Sequence, residues 1–222
     1  KIDINNIKSI IFDMDGVIFD TELVYLEIWS KVFEKYGYKL QKEVYAEVLG
    51  TGRENVKKVF LNNYGNELPI DKMYREKDED LEKAVDKGIP LKQGAYEILS
   101  YLKNNNYKIA LATSASKERA LKQLRYADIE KFFDVIVSRD DVKETKPNPD
   151  IFLKAAKKLN VNPNECIVIE DSSAGIKAAF NAGMAGIHVV DLKEPDNEII
   201  RNCYKSFNNL NDIRKEIEML RG

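Results

Sequence analysis

Residues 8–13, KSIIFD, form a short apolar run of Ile and Phe closed by Asp and Gly, which predicts a buried strand. The next segment has a different rhythm. In TELVYLEIWSKVFEKYGYKL, Leu26, Trp29, Phe33 and Tyr36 recur at helical spacing with charges between them. Thr21 is the N-cap expected for this helix. As far as about Gly88 the pattern stays helical and no strand is expected. GTGRENVKKVF reads as a turn entering a helix, and DKMYREKDEDLEKAVDKG as a charged amphipathic helix with a solvated face, stopped by Gly88. Trp29, Phe33 and Tyr36 are the expected core of this helical block.

After IPLKQG, strands and helices alternate. AYEILSYLKNNNY is a helix, KIALAT a strand, SKERALKQLRYA a helix and FFDVIVS a strand. NPDIFLKAAKKLN is a helix with Asn148 as N-cap and Pro149 at its first position. ECIVIED is a strand, SSAGIKAAFNAG a helix ended by Gly183, AGIHVVD a strand, and residues 209–221 a last helix. Such alternation predicts an α/β fold with a parallel, doubly wound sheet. The first strand belongs to that sheet. Residues 1–18 and 89–222 are therefore expected to form the core, and 19–88 a helical insertion joined through the hinges VIFDT and GIPLKQG.

Composition narrows the class. The chain has 222 residues, 44% hydrophobic and 32% charged, as a globular protein does. A formal net charge of −2 provides no basic field for nucleic acid or a membrane surface. Cys166 and Cys203 lie outside any CxxC spacing and read as reduced thiols. No apolar run approaches the roughly 20 residues of a membrane span, and no signal-peptide apolar region is recognised. The expectation is a cytoplasmic protein with no nucleic-acid or membrane partner. The sequence announces no oligomeric interface.

In a doubly wound sheet, ligands bind outside the carboxyl ends of the strands. The first strand ends in Asp13-Met14-Asp15-Gly16. Residues i and i+2 of an extended chain face one side, so Asp13 and Asp15 can meet one small ligand, and Gly16 allows a tight turn. The second strand ends in Thr113-Ser114 before a helix start, a place that favours an anion. The loop after the third carries Lys146. The fourth ends in Glu170-Asp171. Asp and Ser there are also ordinary helix caps, and a loop lysine is ordinarily just solvated; the argument rests on all four falling on one sheet edge. Converging carboxylates repel and call for a cation, and an oxygen-only set suits Mg²⁺. A lysine and a hydroxyl beside that cation complete a cage for a phosphoryl group. One carboxylate can attack phosphorus; a second can move protons.

FDMDGV, LATS, TKPNPDIF and VIEDSSAGIKAA resemble, in order and spacing, the four motifs of the haloacid dehalogenase superfamily. The helical insertion resembles the four-helix cap of its phosphoglycolate phosphatase and β-phosphoglucomutase subgroup. The resemblance implies a small phosphate ester as substrate and Mg²⁺ as cofactor. It implies that Asp13 is nucleophile and metal ligand. Asp15 is then the general acid/base and a ligand through its carbonyl. Thr113 binds the phosphoryl group with the Ser114 N–H beside it, Ser114 taking over if the strand runs one residue longer. Lys146 neutralises charge. Asp171 is a metal ligand, and Glu170 acts on the metal directly or through water.

Asp15 argues against the dehalogenases and phosphonate hydrolases of the superfamily. GTGRENV resembles the mutase's substrate loop, which makes Arg53 a candidate for the substrate, with Glu22 and Tyr25; but the mutase has a histidine where Tyr25 stands. The only histidine, His188, is expected to be structural. Hydrolysis of a sugar phosphate or similar monoester is therefore favoured, with mutase-type transfer second. A phosphate-accepting receiver module is the rival from another class. It would not need the insertion, and its acceptor sits on a central strand away from the acidic pair.

Overall fold

The computed structural model describes residues 2–49 and 51–222. Its centre is strand β1 (Ser9–Phe12), buried along its whole length. Strands β2 (Lys108–Ala112), β3 (Val135–Val137), β4 (Cys166–Glu170), β5 (Ala185–Val189) and β6 (Lys205–Phe207) complete a six-stranded sheet in the order β3-β2-β1-β4-β5-β6. Every pairing is parallel. Consecutive residues of β1 serve opposite faces, as the pleat requires. Ile10 and Phe12 pack into one apolar cluster with Leu99, Leu102 and Ile213, while Ile11 packs into the other with Phe152 and Ala155.

The helices covering these faces are α5 (Ala95–Asn104), α6 (Lys117–Tyr126), α7 (Asp150–Leu159), α8 (Ser173–Asn181), α9 (Asn197–Asn202) and α10 (Leu210–Arg221). Between β1 and β2 come α1 (Thr21–Lys35), α2 (Lys42–Val48), α3 (Arg53–Tyr64) and α4 (Ile70–Lys87). These four gather around their own cluster, in which Trp29 meets Phe33, Phe60 and Tyr74 edge to face at 4.9–6.1 Å between ring centres. Their two connections to the sheet lie side by side. Asp20 N–H donates to Pro90 O and Lys92 N–H to Ile18 O, at 2.9 and 2.8 Å.

Several boundaries differ from expectation. Thr21 is the first residue of α1 and not its N-cap; Asp20 holds that position, because the Thr21 hydroxyl is drawn instead to Asp15. Helix α7 starts one residue later than expected, at Asp150, with Pro149 as cap; Asn148 still caps from outside by accepting from Asp150 N–H at 3.0 Å. β2 stops at Ala112, so the strand does not run on to place Ser114 where Thr113 stands. α9 and β6 were not expected: six and three residues are too short for a period to register.

Candidate active site

The sheet register sets the level of the site. Phe12 lies beside both Leu111 and Ile169. The next residues therefore emerge together: Asp13 from β1, Ala112-Thr113 from β2 and Glu170 from β4. Asp13 N–H still bonds Ile169 O at 3.1 Å and Thr113 N–H bonds Val137 O at 2.9 Å, so the sheet fixes both backbones. This edge is also where the strand order reverses around β1, the usual binding crevice of such folds.

Lys146 enters from the loop after β3. Its Nζ donates to Asp13 Oδ1 at 3.0 Å, Glu170 Oε1 at 2.6 Å and Ala112 O at 3.2 Å. The Glu170 side chain is fully buried and also accepts from Asp171 N–H, Ser172 N–H and the Ser172 hydroxyl. Two glycines make this closeness possible. A Cβ on Gly175, in the first turn of α8, would lie 2.0 Å from Glu170 Cδ. A Cβ on Gly16 would lie 2.1 Å from Asp171 Oδ2, and Gly16 also has φ +81°.

Asp13, Glu170 and Asp171 each offer a carboxylate oxygen, and these oxygens all lie within 4.8 Å of one another. Burial pushes the Asp13 carboxyl up to about 7, helped by repulsion from Glu170 and Asp15 and opposed by Lys146. Asp171 is raised well above the usual carboxylate range by burial, then by Asp13, Glu170, Asp191 and Glu22. One ammonium does not balance this many carboxylates. The unmet charge and the oxygen-only donor set fit a hard divalent cation such as Mg²⁺.

Asp15 is held differently. Burial alone would raise its carboxyl, but the Arg119 guanidinium brings it below the ordinary value, with help from the Thr21 hydroxyl. Arg119 grips both oxygens, and Thr21 donates to Oδ1 at 2.7 Å. Arg119 was not singled out from the sequence. A signal existed: it stands in the first turn of α6, three residues past the cap Ser116, where the helix dipole disfavours a cation.

Thr113 is buried, and its Oγ1 accepts from Ala115 N–H at 3.1 Å, which leaves its own hydrogen to donate. Ser114 is exposed and lines a crevice with Lys146 and Glu144. His188 is buried. Its Nε2 faces Asp171 O at 3.1 Å and its Nδ1 faces the Ser206 hydroxyl at 2.7 Å. A carbonyl only accepts, so Nε2 carries the hydrogen. Burial lowers the ring's basicity, and His188 braces the Asp171 backbone as a neutral imidazole.

A cleft of about 170 Å³ opens between the four-helix segment and the sheet edge. Glu22 lines it together with Asp171 and Asp191. Burial raises Glu22 to about 7, with Asp15 and Asp191 adding repulsion, against a hydrogen bond from Tyr45. Tyr25 lies under Lys77, whose Nζ is 4.5 Å from the ring centre. Arg53 is not brought to the cleft; it pairs with Asp78 at 2.9 Å and stacks on Tyr74. Asp191, two residues past β5, was also missed, although the strand-end test applied to the fifth strand would have found it.

A parallel sheet whose central strand ends in paired aspartates, faced by a lysine and a second acidic pair, defines an α/β protein with an acidic site at the carboxyl edge of its sheet. The family model described as haloacid dehalogenase-like hydrolase matches residues 10–189. The chain belongs to that family, which bears out the resemblance read from the four motifs and the expectation of an enzyme of the phosphatase class. It is 34% identical over 183 residues to the phosphorylated carbohydrates phosphatase of Thermotoga maritima, covering 82% of this chain and 85% of that protein. It is 36% identical over 190 residues to the β-phosphoglucomutase of Bacillus subtilis, covering 82% of this chain and 83% of that one. The crystal structure of β-phosphoglucomutase from Clostridium difficile aligns with TM-score 0.72 and 31% identity over 96% of this chain and 98% of that one. No helix among the described residues is long and apolar enough to cross a membrane.

Proposed function

We propose that this chain hydrolyses a small phosphomonoester, a sugar phosphate or similar metabolite, through an aspartyl phosphate on Asp13. The observation that carries the reading is Asp13 itself. It is fixed by the sheet, 3.0 Å from Lys146 Nζ, in a carboxylate cluster that calls for a cation. Asp13, Asp171 and the Asp15 carbonyl would hold Mg²⁺, with Glu170 acting directly or through water. When bound, the ion supplies charge neutralisation for the phosphoryl oxygens.

In the first step an Asp13 oxygen bonds to phosphorus and the ester oxygen leaves, taking a proton from Asp15. In the second, Asp15 takes a proton from water, whose oxygen attacks phosphorus. The Asp13–phosphorus bond breaks and inorganic phosphate is released. Lys146 stabilises negative charge on Asp13 and the phosphoryl group. The Thr113 hydroxyl and the Ser114 N–H orient that group. Arg119 and Thr21 hold the Asp15 carboxyl below its ordinary value, so before the first step it must leave them and take up a proton from solvent. Residues 19–88 act as a cap over the core formed by 1–18 and 89–222, and Glu22 faces the substrate from the cap.

A generic aryl phosphate should be turned over with Mg²⁺ and not without it, and Asp13→Asn should abolish turnover. Equal rates for the two proteins would overturn the reading. The likeness to β-phosphoglucomutases supports a second outcome, return of the phosphoryl group to a sugar hydroxyl. Scoring β-glucose 1-phosphate for both released phosphate and isomerised product separates the two.

A further inference from the structure

The cleft beside Asp171 is lined by five carboxylates, Glu22, Asp171, Asp191, Glu194 and Asp196, and among the described residues Lys193 is its one cation. Most of these acids have an evident occupation. Asp171 belongs to the carboxylate cluster, Glu22 is bonded by Tyr45, Asp196 caps α9 by accepting from Ile199 N–H, and Glu194 is exposed to water. Asp191 is different. Its side chain is only 6% exposed, and its Oδ1 is taken by Lys92. Its Oδ2 is buried with no hydrogen-bond partner among the described residues. A Cβ at Gly16 would lie 2.1 Å from Asp171 Oδ2 and 3.1 Å from Asp191 Oδ2, so the free oxygen stands beside the edge where the phosphoryl group would be held. A buried acceptor without a donor is costly, and one that lines a cleft points to a ligand that supplies the donor.

We propose that Asp191 Oδ2 is the acceptor for the alcohol part of the substrate, taking a hydrogen bond from a hydroxyl or ammonium group of the leaving group. The charge of Asp191, reinforced by the exposed Glu194, repels a second phosphate. The substrate class is therefore a hydroxylated or amine-bearing monophosphate and not a bisphosphate. This rests on the phosphatase reading above and names its substrate class.

The test compares kcat/KM with Mg²⁺ for a hexose monophosphate, the corresponding bisphosphate and phenyl phosphate, in wild type and Asp191→Asn. In the variant the amide oxygen must turn to Lys92, which leaves N–H groups at the Oδ2 position. Wild type should favour the monophosphate over the bisphosphate by about tenfold or more, the scale of one hydrogen bond to a charged group. The variant should narrow that ratio by about the same factor, with phenyl phosphate turnover and calorimetric Mg²⁺ affinity little changed. An unchanged ratio, or a wild type that prefers the bisphosphate, overturns the proposal. So does an equal fall on all three esters with weaker Mg²⁺ binding, which would assign Asp191 to the metal. If circular dichroism shows Asp191→Asn unfolded, Glu194→Gln on the exposed loop carries the test: the ratio should narrow, and no change overturns the proposal. A wild type inactive on phenyl phosphate and on both sugar esters overturns the phosphatase reading itself.

Discussion

Glu22 shows how one side chain ties folding to the site. It opens α1 at the cleft, and its neutral form is favoured by burial and by the repulsion of Asp15 and Asp191. Its carboxyl moves from an ordinary 4.5 to about 7 in the folded chain. The sign follows. A raised carboxyl contributes stability that is present in full below 4.5 and is lost as pH rises through about 7. Wild type should therefore lose Tm relative to Glu22→Gln as pH climbs through that window. Thermal melts of both proteins measure it, and parallel curves would show that Glu22 stays ionised. Lys146 illustrates the opposite balance: it is a nearly buried ammonium between Asp13 and Glu170, compensated on both sides.

At the scale of elements, the site is held by contacts between a helix start and a strand end. α8 begins directly over the Glu170 carboxylate, and Gly175 is the residue that lets it. Gly175→Ala should force the helix off Glu170 and destabilise the protein by about 1–3 kcal/mol, as overpacking does. Gly52→Ala, where the added methyl meets nothing within 4 Å, should cost less, only the modest loss of a glycine N-cap on α3. Urea unfolding of the two variants makes the comparison, and equal effects would remove Gly175 from this role. The elements themselves were largely legible. Runs such as KSIIF and CIVI, and the helical spacing of Trp29 and Phe33, carry their period within the segment. KSF in β6 does not: three residues on a sheet edge hold no period, and its place beside β5 is set by tertiary pairing.

At the scale of the molecule, two bonded connections join the four-helix segment to the sheet, and the acidic cleft opens between that segment and the sheet edge. Asp15 is turned toward Arg119 and the α1 residue Thr21. If the helical segment closes over a bound phosphate, as a cap would, water is shut out while the phosphoryl group is transferred. Small-angle scattering with Mg²⁺ and a phosphate mimic should then show a smaller radius of gyration than the free protein. An unchanged radius would count against closure.

The sequence by itself determined the alternating fold, the helical insertion, and the strand-end residues Asp13, Asp15, Thr113, Lys146, Glu170 and Asp171. Each of these lies in or beside a local pattern, and the strand-end rule then brings the patterns to one edge. What it did not reveal are partnerships between residues distant along the chain. Arg119 finds Asp15 across more than a hundred positions, His188 braces Asp171, and Lys92 reaches Asp191 from the connection after α4. Arg53, a candidate for the substrate by the likeness of one loop, pairs with Asp78 and stacks on Tyr74. Only the tertiary structure decided these, because a charged side chain goes to whatever partner packing brings within reach, and packing is a property of the whole chain.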